Sequence, residues 1–365
     1  MTTLRLIADD LTGALDTAAE FVGLTGSVHV LWHGSYGASL PANAALDLAT
    51  REGSLETARA ATLGAVPALA QGGIAFKKID SLMRGHTLAE LAVCFDAGSW
   101  QHAVLAPAFP FQGRVTRHGQ QYAAERGGWS PAGPDLVSAL RGLGLTAQLA
   151  GPTGLMPGVT VFDAETDADL TAAVAQAGGS GAAVLWCGTG GLARALAGGG
   201  ASPTPSLPTP ILGLFGSDQA VTAAQLAACH PHWHAVPDAS PSSMARLTAA
   251  LDRHGVAAVS HLLPRGTPRA EAATRIKAAF RTLVDGLAAP GTLIAAGGET
   301  LRGLCVALGA TSLEVQGSIM PGVPVSRLRG GRWDGITVVS KSGAFGHPTL
   351  LRDLLRIPDL ERAAS

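Results

Sequence analysis

The chain has 365 residues, enough for roughly two domains at about 150 residues each. Basic and acidic residues nearly cancel (26 against 27), which removes any electrostatic reason to bind nucleic acid or an anionic membrane. Hydrophobic residues make up 47%, which excludes a disordered chain. Only four basic residues are lysines, Lys77, Lys78, Lys277 and Lys341, and the rest are arginines. Where arginine serves as the general surface cation, each lysine calls for a reason, and Lys277 alone reads as ordinary surface.

The N-terminal half alternates short apolar runs with helix-like stretches. Strands are expected at Leu4–Ala8, Ser27–Trp32, Gly73–Lys77, Ala103–Ala106, Val159–Phe162 and Ala182–Trp186, and helices at Gly13–Leu24, Leu55–Ala70 and Asp167–Ala177. Several strands are apolar on both faces, as in a covered parallel sheet. The longest charge-poor stretch, Leu170–Ala193, is broken by Gly178-Gly179-Ser180-Gly181 and cannot span a membrane. Gly198–Pro210, rich in proline and glycine, reads as a linker. A second alternating series comes after it. Strands are expected at Ile211–Phe215, Val256–Leu263, Thr292–Ala295, Pro324–Leu328 and Gly335–Ser340. Helices are expected at Gln219–Ala228, Arg269–Leu287, Thr300–Leu308 and near Leu350–Leu355, with a loop starting at Gly317. The fold class is therefore α/β, as two α/β domains with mainly parallel sheets and a ligand cleft between them: residues 1–200, a linker at 201–210, and 211–365. The four cysteines are far apart and form no CxxC, and no signal peptide precedes the first strand, so the expected setting is cytoplasmic.

Chemistry concentrates where strands end. Asp9 and Asp10 come directly after the first strand. A helix cap explains one aspartate but not two, and adjacent carboxylates there suit a substrate hydroxyl, a base or a metal. Lys77 to His86 gathers Lys78, Asp80, Ser81, Arg84 and His86 after another strand, a set suited to an acidic small molecule. After Ala106 a proline-stiffened loop places Arg114 and Thr116 where they could meet a ligand, while Phe109 and Phe111 pack; taken alone, the loop reads equally well as structural. In the second half, Gly297-Gly298-Glu299-Thr300 and Lys341-Ser342-Gly343 are glycine turns after strands, together suggesting a nucleotide site, although no Walker A sequence occurs. Gly188–Ala193 fits GxGxxA but lacks the acid expected about 20 residues on, which leaves a dehydrogenase as the weaker alternative. His230, His232 and His234 alternate as metal ligands would, yet Pro231 favours a surface turn.

Taken together, IADDLTGALD, KKIDSLMRGH, APAFPFQGRVT with GQQY, GTGGLA, GSDQAVTAAQ, AGGET, PGVP and KSGAFG resemble the four-carbon acid sugar kinase family nearly end to end. The resemblance implies an N-terminal acid-sugar domain and a C-terminal nucleotide domain. It implies ATP-dependent phosphorylation of a terminal hydroxyl of a small anionic sugar acid, with Mg²⁺ and no nucleic acid or membrane partner. A homodimer is common among such enzymes. It places Asp9, Asp10, Thr12, Lys78, Asp80, Ser81 and Arg84 around the substrate, with Asp10 or Asp80 as base. Ser217, Gly297, Gly298, Glu299, Thr300, Lys341 and Gly343 would hold ATP. The chain departs from the family pattern at Gln219, Ala296 and the GTGGLA turn, and is short around Trp32–Thr50. A non-catalytic sensor of sugar acids that merely binds nucleotide is the third reading.

Overall fold

The computed structural model describes residues 2–32, 39–152, 154–178, 183–200, 203–216, 219–264 and 266–356. Two compact units result: residues 1–203 with 315–321, and residues 204–314 with 322–365. The excursion of Val315–Pro321 into the first unit has no counterpart in the expected bounds.

The first unit runs β1 (Leu4–Ala8), α1 (Leu11–Thr25), β2 (Val28–Trp32), β3 (Ala44–Asp47), α2 (Leu55–Leu69), β4 (Ile74–Lys78), α3 (Thr87–Ala97) and β5 (His102–Ala106). It continues with β6 (Arg114–Arg117), β7 (Gln120–Glu125), β8 (Gly128–Asp135), α4 (Leu136–Gly142), β9 (Ala147–Leu149), β10 (Gly158–Val161), α5 (Asp167–Gly178), β11 (Val184–Gly188) and α6 (Gly190–Leu196). Eight of these strands form a parallel sheet in the order β2-β3-β1-β4-β11-β5-β10-β9. The chain leaves β1 in one direction and returns on its other side at β4. The carboxyl ends of β1 and β4 therefore border the point where winding reverses, the usual ligand crevice of an open α/β sheet. β6, β7 and β8 form a separate antiparallel sheet.

In the second unit come β12 (Ile211–Phe215), α7 (Ala220–Ala227), β13 (Trp233–Val236), α8 (Pro241–His254), β14 (Val256–His261), α9 (Arg269–Gly286), β15 (Thr292–Ala296) and α10 (Gly298–Leu308). β16 (Ser312–Met320), β17 (Val323–Arg329), β18 (Thr337–Lys341) and α11 (Leu350–Leu354) complete the chain. The order β13-β14-β12-β15-β18-β17 is parallel except for β17 against β18. Here the winding reverses between β12 and β15, so Gly216 and Gly297 stand at a second crevice. β12 and β15 are buried along their whole length, as their unbroken apolar runs require. The loop expected from Gly317 is instead strand as far as Met320, closed by a turn in which Gly322 takes φ +84° against the Phe345 ring.

Apolar packing between α1 and the sheet includes an edge-to-face pair, Phe21 on Phe76, with centroids 5.6 Å apart. Glu20 of α1 is buried nearby. Burial, reinforced by the Asp16 carboxylate and opposed by Arg194 at 3.9 Å, pushes its carboxyl up to about 7. Below the ordinary carboxylate range Glu20 is protonated whether folded or unfolded. As pH rises to about 7 the folded chain resists ionisation and loses stability, by up to about 3 kcal/mol. Glu20→Gln is therefore expected to raise the melting temperature at pH 8 and to change it little at pH 4.5. An equal shift at both pH values would indicate a packing effect instead.

Candidate functional site

At the β1–β4 crevice the acids are bound to arginines. Asp10 is the N-cap of α1: its carboxylate accepts from the Gly13 amide (3.0 Å), the Thr12 hydroxyl (2.5 Å) and Arg51 Nη2 (2.7 Å). Asp9 accepts from Arg51 Nε (2.7 Å) and Nη2 (2.9 Å), and its carbonyl takes the Thr50 and Arg51 amides. Burial alone would raise the Asp9 carboxyl; the Arg51 guanidinium outweighs it and holds the group below the ordinary range. Asp80 accepts from Arg84 Nε (2.8 Å) and Nη2 (2.7 Å) and from the Leu82 and Arg84 amides, with Arg51 Nη2 3.6 Å away. Burial again opposes ionisation, but these donors hold Asp80 far below the usual carboxylate range.

Arg51, which no sequence pattern singled out, thus joins all three aspartates. It sits in the turn between β3 and α2, and its placement depends on a strand of four residues returning the chain to β1. Thr50 beside it donates to Glu90 (2.5 Å), which pairs with fully buried Lys77 at 2.6 Å. The neighbouring lysine is unlike it. Lys78 is 6% exposed, and among the described residues no hydrogen bond or ion pair engages its ammonium. A Cβ placed on Gly13 would lie 2.5 Å from Asp10 Oδ1 and 2.8 Å from Lys78 Nζ. Glycine at 13 is what lets that ammonium and that carboxylate face the same point.

Two expected ligand groups are otherwise occupied. Arg114 donates to the carbonyls of Gln112 and Gly113. Thr116 is buried and donates to Gln121, whose amide in turn reaches the carbonyls of Ser81 and Pro107. This network braces the Ser81 turn and the Pro107 loop against each other. The Ser81 side chain itself is half-buried at the crevice. Phe109 packs as expected, whereas Phe111 is exposed.

The GxGxxA turn serves packing. A Cβ on Gly188 would lie 2.6 Å from the Ala106 carbonyl, and one on Gly191 2.7 Å from that of Ala108. Thr189 caps α6, donating to Ala108 O (2.6 Å) and accepting from the Gly191 amide. That occupies an amide a pyrophosphate would need, and the dehydrogenase reading loses its footing.

At the β12–β15 crevice Gly297 takes φ +93° and donates to the Lys341 carbonyl (2.9 Å), so α10 begins with Gly298, Glu299 and Thr300 in its first turn. Lys341 is buried without a carboxylate partner among the described residues, and its ammonium donates to Ser342 O (2.8 Å). Burial lowers it to about 8. The Gly343 carbonyl accepts from Thr222, and Gln225 holds the carbonyls of Phe345 and His347, so buried side chains of α7 pin this turn. Ser217 lies outside the described residues. Beside the crevice a cavity of about 300 Å³ opens between α9 and α10, and Lys277 lines it rather than lying on featureless surface. Among the described residues no set of three His, Cys, Asp or Glu side chains could hold a metal, and His232 instead packs on His254. No helix among them is long and apolar enough to cross a membrane.

A family model described as a sugar-binding N-terminal domain matches residues 4–139, and one described as a nucleotide-binding C-terminal domain matches residues 212–351. A D-threonate kinase of Bordetella bronchiseptica is 30% identical over 387 aligned residues, covering 95% of each chain. A D-threonate kinase of Cupriavidus necator is 30% identical over 411, again covering 95% of each. Among solved structures, a Salmonella typhimurium protein superposes with a TM-score of 0.76 at 20% identity, covering 98% of this chain and 99% of its own. A Haemophilus influenzae protein does so at 0.72 and 21%, covering 97% and 100%.

Proposed function

This chain belongs to the four-carbon acid sugar kinase family, and on that premise we propose that it transfers the terminal phosphoryl group of ATP to a hydroxyl of a four-carbon sugar acid such as threonate, erythronate or a 3-oxo form. The observation that carries the reading is Lys78: a nearly buried ammonium, unpaired among the described residues, facing Asp10 at a crevice whose aspartates are all matched by arginines. Asp9 and Asp80 attract it only from beyond contact, and an anionic ligand supplies the direct partner it lacks.

In this reading Lys78 and Arg84 hold the carboxylate of the sugar acid. Asp10 takes the proton of the attacking hydroxyl. Its side chain is 21% exposed, against 4% for Asp9 and 7% for Asp80, so of the three it alone is open to a substrate. Asp80, with its oxygens taken by Arg84 and two amides, is the positioning residue rather than the base, and Thr12 and Asp9 orient Asp10 and Arg51. The amides of Gly298, Glu299 and Thr300 at the start of α10, Gly343 and Lys341, with Ser217, attend the donor phosphates. Glu299 is the carboxylate at hand for Mg²⁺, and a cation carried in on the phosphates needs no protein cage. It would offset phosphate charge, while transfer itself needs the two ligands aligned and water kept out.

A coupled ADP-release assay over a panel of four-carbon acids, branched five-carbon acids and their 3-oxo forms tests the proposal. Release that depends on one of these acids is expected. ATP binding without acid-dependent release would favour a sensor. The Lys341 ammonium adds a pH signature. Protonated it attracts the donor phosphates, so KM for ATP is expected to rise as pH goes from 7 to 9 through about 8, and Lys341→Arg to flatten that rise.

A further inference from the structure

Arg84 has a side chain 59% exposed, so burial does little to fix it. What fixes it is the backbone of the turn between β4 and α3. Asp80 closes that turn from within. Its carbonyl accepts from the Met83 amide (2.9 Å), and its carboxylate from the Leu82 and Arg84 amides as well as the Arg84 guanidinium. Arg84 stands between two residues in the left-handed region, Met83 at φ +59° and Gly85 at φ +73°. Glycine enters that region freely and methionine does not. A long apolar side chain is thus kept where the backbone alone favours glycine, and such strain persists only where surrounding contacts hold it.

Those contacts come from the small antiparallel sheet. A Cβ on Gly133 of β8 would lie 2.7 Å from Met83 Cβ and 3.0 Å from its Cγ, so β8 has to be bare where Met83 meets it. Beyond that contact the half-buried Met83 side chain packs on the apolar core that includes Leu88, Leu136 and Leu140. β7 holds both partners: Gln121 donates to Ser81 O (3.0 Å), two residues before Met83, and Gln120 donates to Gly133 O (3.1 Å). The opposite flank of the turn rests on the Arg51 segment. A Cβ on Gly85 would lie 3.2 Å from Arg51 Cα, and His86 Nε2 donates to Gly53 O (2.8 Å). The backbone of Arg84 is gripped from both sides while its guanidinium stays open to the crevice.

We propose that Met83 is a positioning residue of the substrate site: seated on Gly133, it holds the left-handed step that keeps Arg84 on Asp80 and facing the crevice, and the β6–β8 sheet is the brace of this acid-binding turn. The inference rests on the reading of Arg84 as a ligand of the sugar acid's carboxylate, and it gives the separate sheet a part in that binding. With the wedge removed, the turn gains conformations and the ligand has to order Arg84 on arrival. That cost falls on binding, so KM for the sugar acid rises while kcat holds.

The test is ADP release with threonate and with erythronate as acceptors. Met83→Gly is expected to raise KM for the acid about tenfold, with kcat and KM for ATP within about twofold of the wild type. Met83→Asn keeps the Cβ and Cγ that meet Gly133 and tolerates the left-handed backbone, so it should stay close to the wild-type KM. Loss of core packing alone would predict the reverse, since asparagine fills the apolar contact no better than glycine. Gly133→Ala should raise KM as well, and should add little in a Met83→Gly background, where the clashing Cβ is gone. Should Gly133→Ala fold poorly, the two Met83 variants carry the test by themselves. A wild-type KM in Met83→Gly, an Asn variant as impaired as the Gly variant, or a joint fall of kcat, ATP affinity and melting temperature in Met83→Gly overturns the positioning role. Arg84→Ala separates this from the reading beneath it. If Arg84→Ala raises KM for the acid and Met83→Gly does not, the positioning role alone fails. If Arg84→Ala leaves that KM unchanged, or the wild type turns over neither acid, the reading of the site fails and the inference with it.

Discussion

Arg51→Ala is expected to lower folding stability by about 3–5 kcal/mol and to abolish turnover, the largest combined effect of any single side chain at the β1–β4 crevice. The guanidinium donates to both oxygens of Asp9 and one of Asp10, and stands 3.6 Å from Asp80. Without it, Asp9 is a buried carboxylate whose remaining positive neighbours are the lysines of β4. Burial then acts with less opposition, and the Asp9 carboxyl moves upward. The variant should therefore regain part of its stability toward acid pH, where a neutral Asp9 is tolerated. The wild type behaves in the opposite sense: its depressed carboxyl contributes stability above the ordinary carboxylate range and loses it only as pH falls well below that range. Arg51→Lys should rescue neither property, because one ammonium cannot serve two oxygens of Asp9 and one of Asp10 together. Adding Asp9→Asn to Arg51→Ala removes the stranded charge and should restore stability but not turnover. Urea unfolding and ADP release on the four proteins measure both. Near-wild-type turnover in Arg51→Ala would sink the assignment of Arg51 to the site.

Asp9, Asp10 and Asp80 are legible in the sequence and Arg51 is not, because only the former are placed by local information. Leu4–Ala8 and Ile211–Phe215 read as strands because apolar residues run unbroken between turn signals, and the residues directly after such a run stand at a strand end wherever the sheet lies. Motifs at strand ends were therefore legible. The neighbour across the crevice was not, since it depends on strand order. β3 is only Ala44–Asp47, inside an alanine-rich stretch without alternation, yet it is the strand that returns Arg51 to Asp9. β8 carries Pro131, Pro134 and Gly133 and gives no strand signal in the sequence. It is an exposed strand whose ladder to β7 is irregular near Gln120, where such residues are tolerated. Charge counting showed that Lys277 was one of few lysines but not that α9 turns it toward α10. Composition likewise could not divide roles among the aspartates, because Asp80 and Asp10 differ in how many donors reach them rather than in residue type.

The two lysines of β4 provide the sharpest separation of binding from scaffolding, because strand alternation sends adjacent side chains to opposite faces of one sheet. Lys78→Met is expected to reduce turnover by about a hundredfold or more, as loss of a single preorganised charge at a reacting anion does. It should change the melting temperature little, since relief of the ammonium's desolvation is offset by loss of its attraction to the buried Asp9 and Asp80 carboxylates. Lys77→Met should do the reverse. Its ammonium is matched 2.6 Å away by Glu90, both are fully buried, and burial beside them pushes the Cys94 thiol up to about 12. Leaving Glu90 alone there is expected to cost about 3–5 kcal/mol. Glu90 also accepts from Thr50, next to Arg51, so the loss should loosen the Arg51 turn and raise KM for the sugar acid. Replacing both members, Lys77→Met with Glu90→Leu, removes the stranded charge and should recover most of the stability, while Lys78→Met has no partner whose replacement could recover turnover. Thermal unfolding paired with sugar-acid-dependent ADP release reads all four proteins. If Lys78→Met lost stability in proportion to activity, or Lys77→Met lost activity while melting like the wild type, the roles of the two lysines would have to be exchanged.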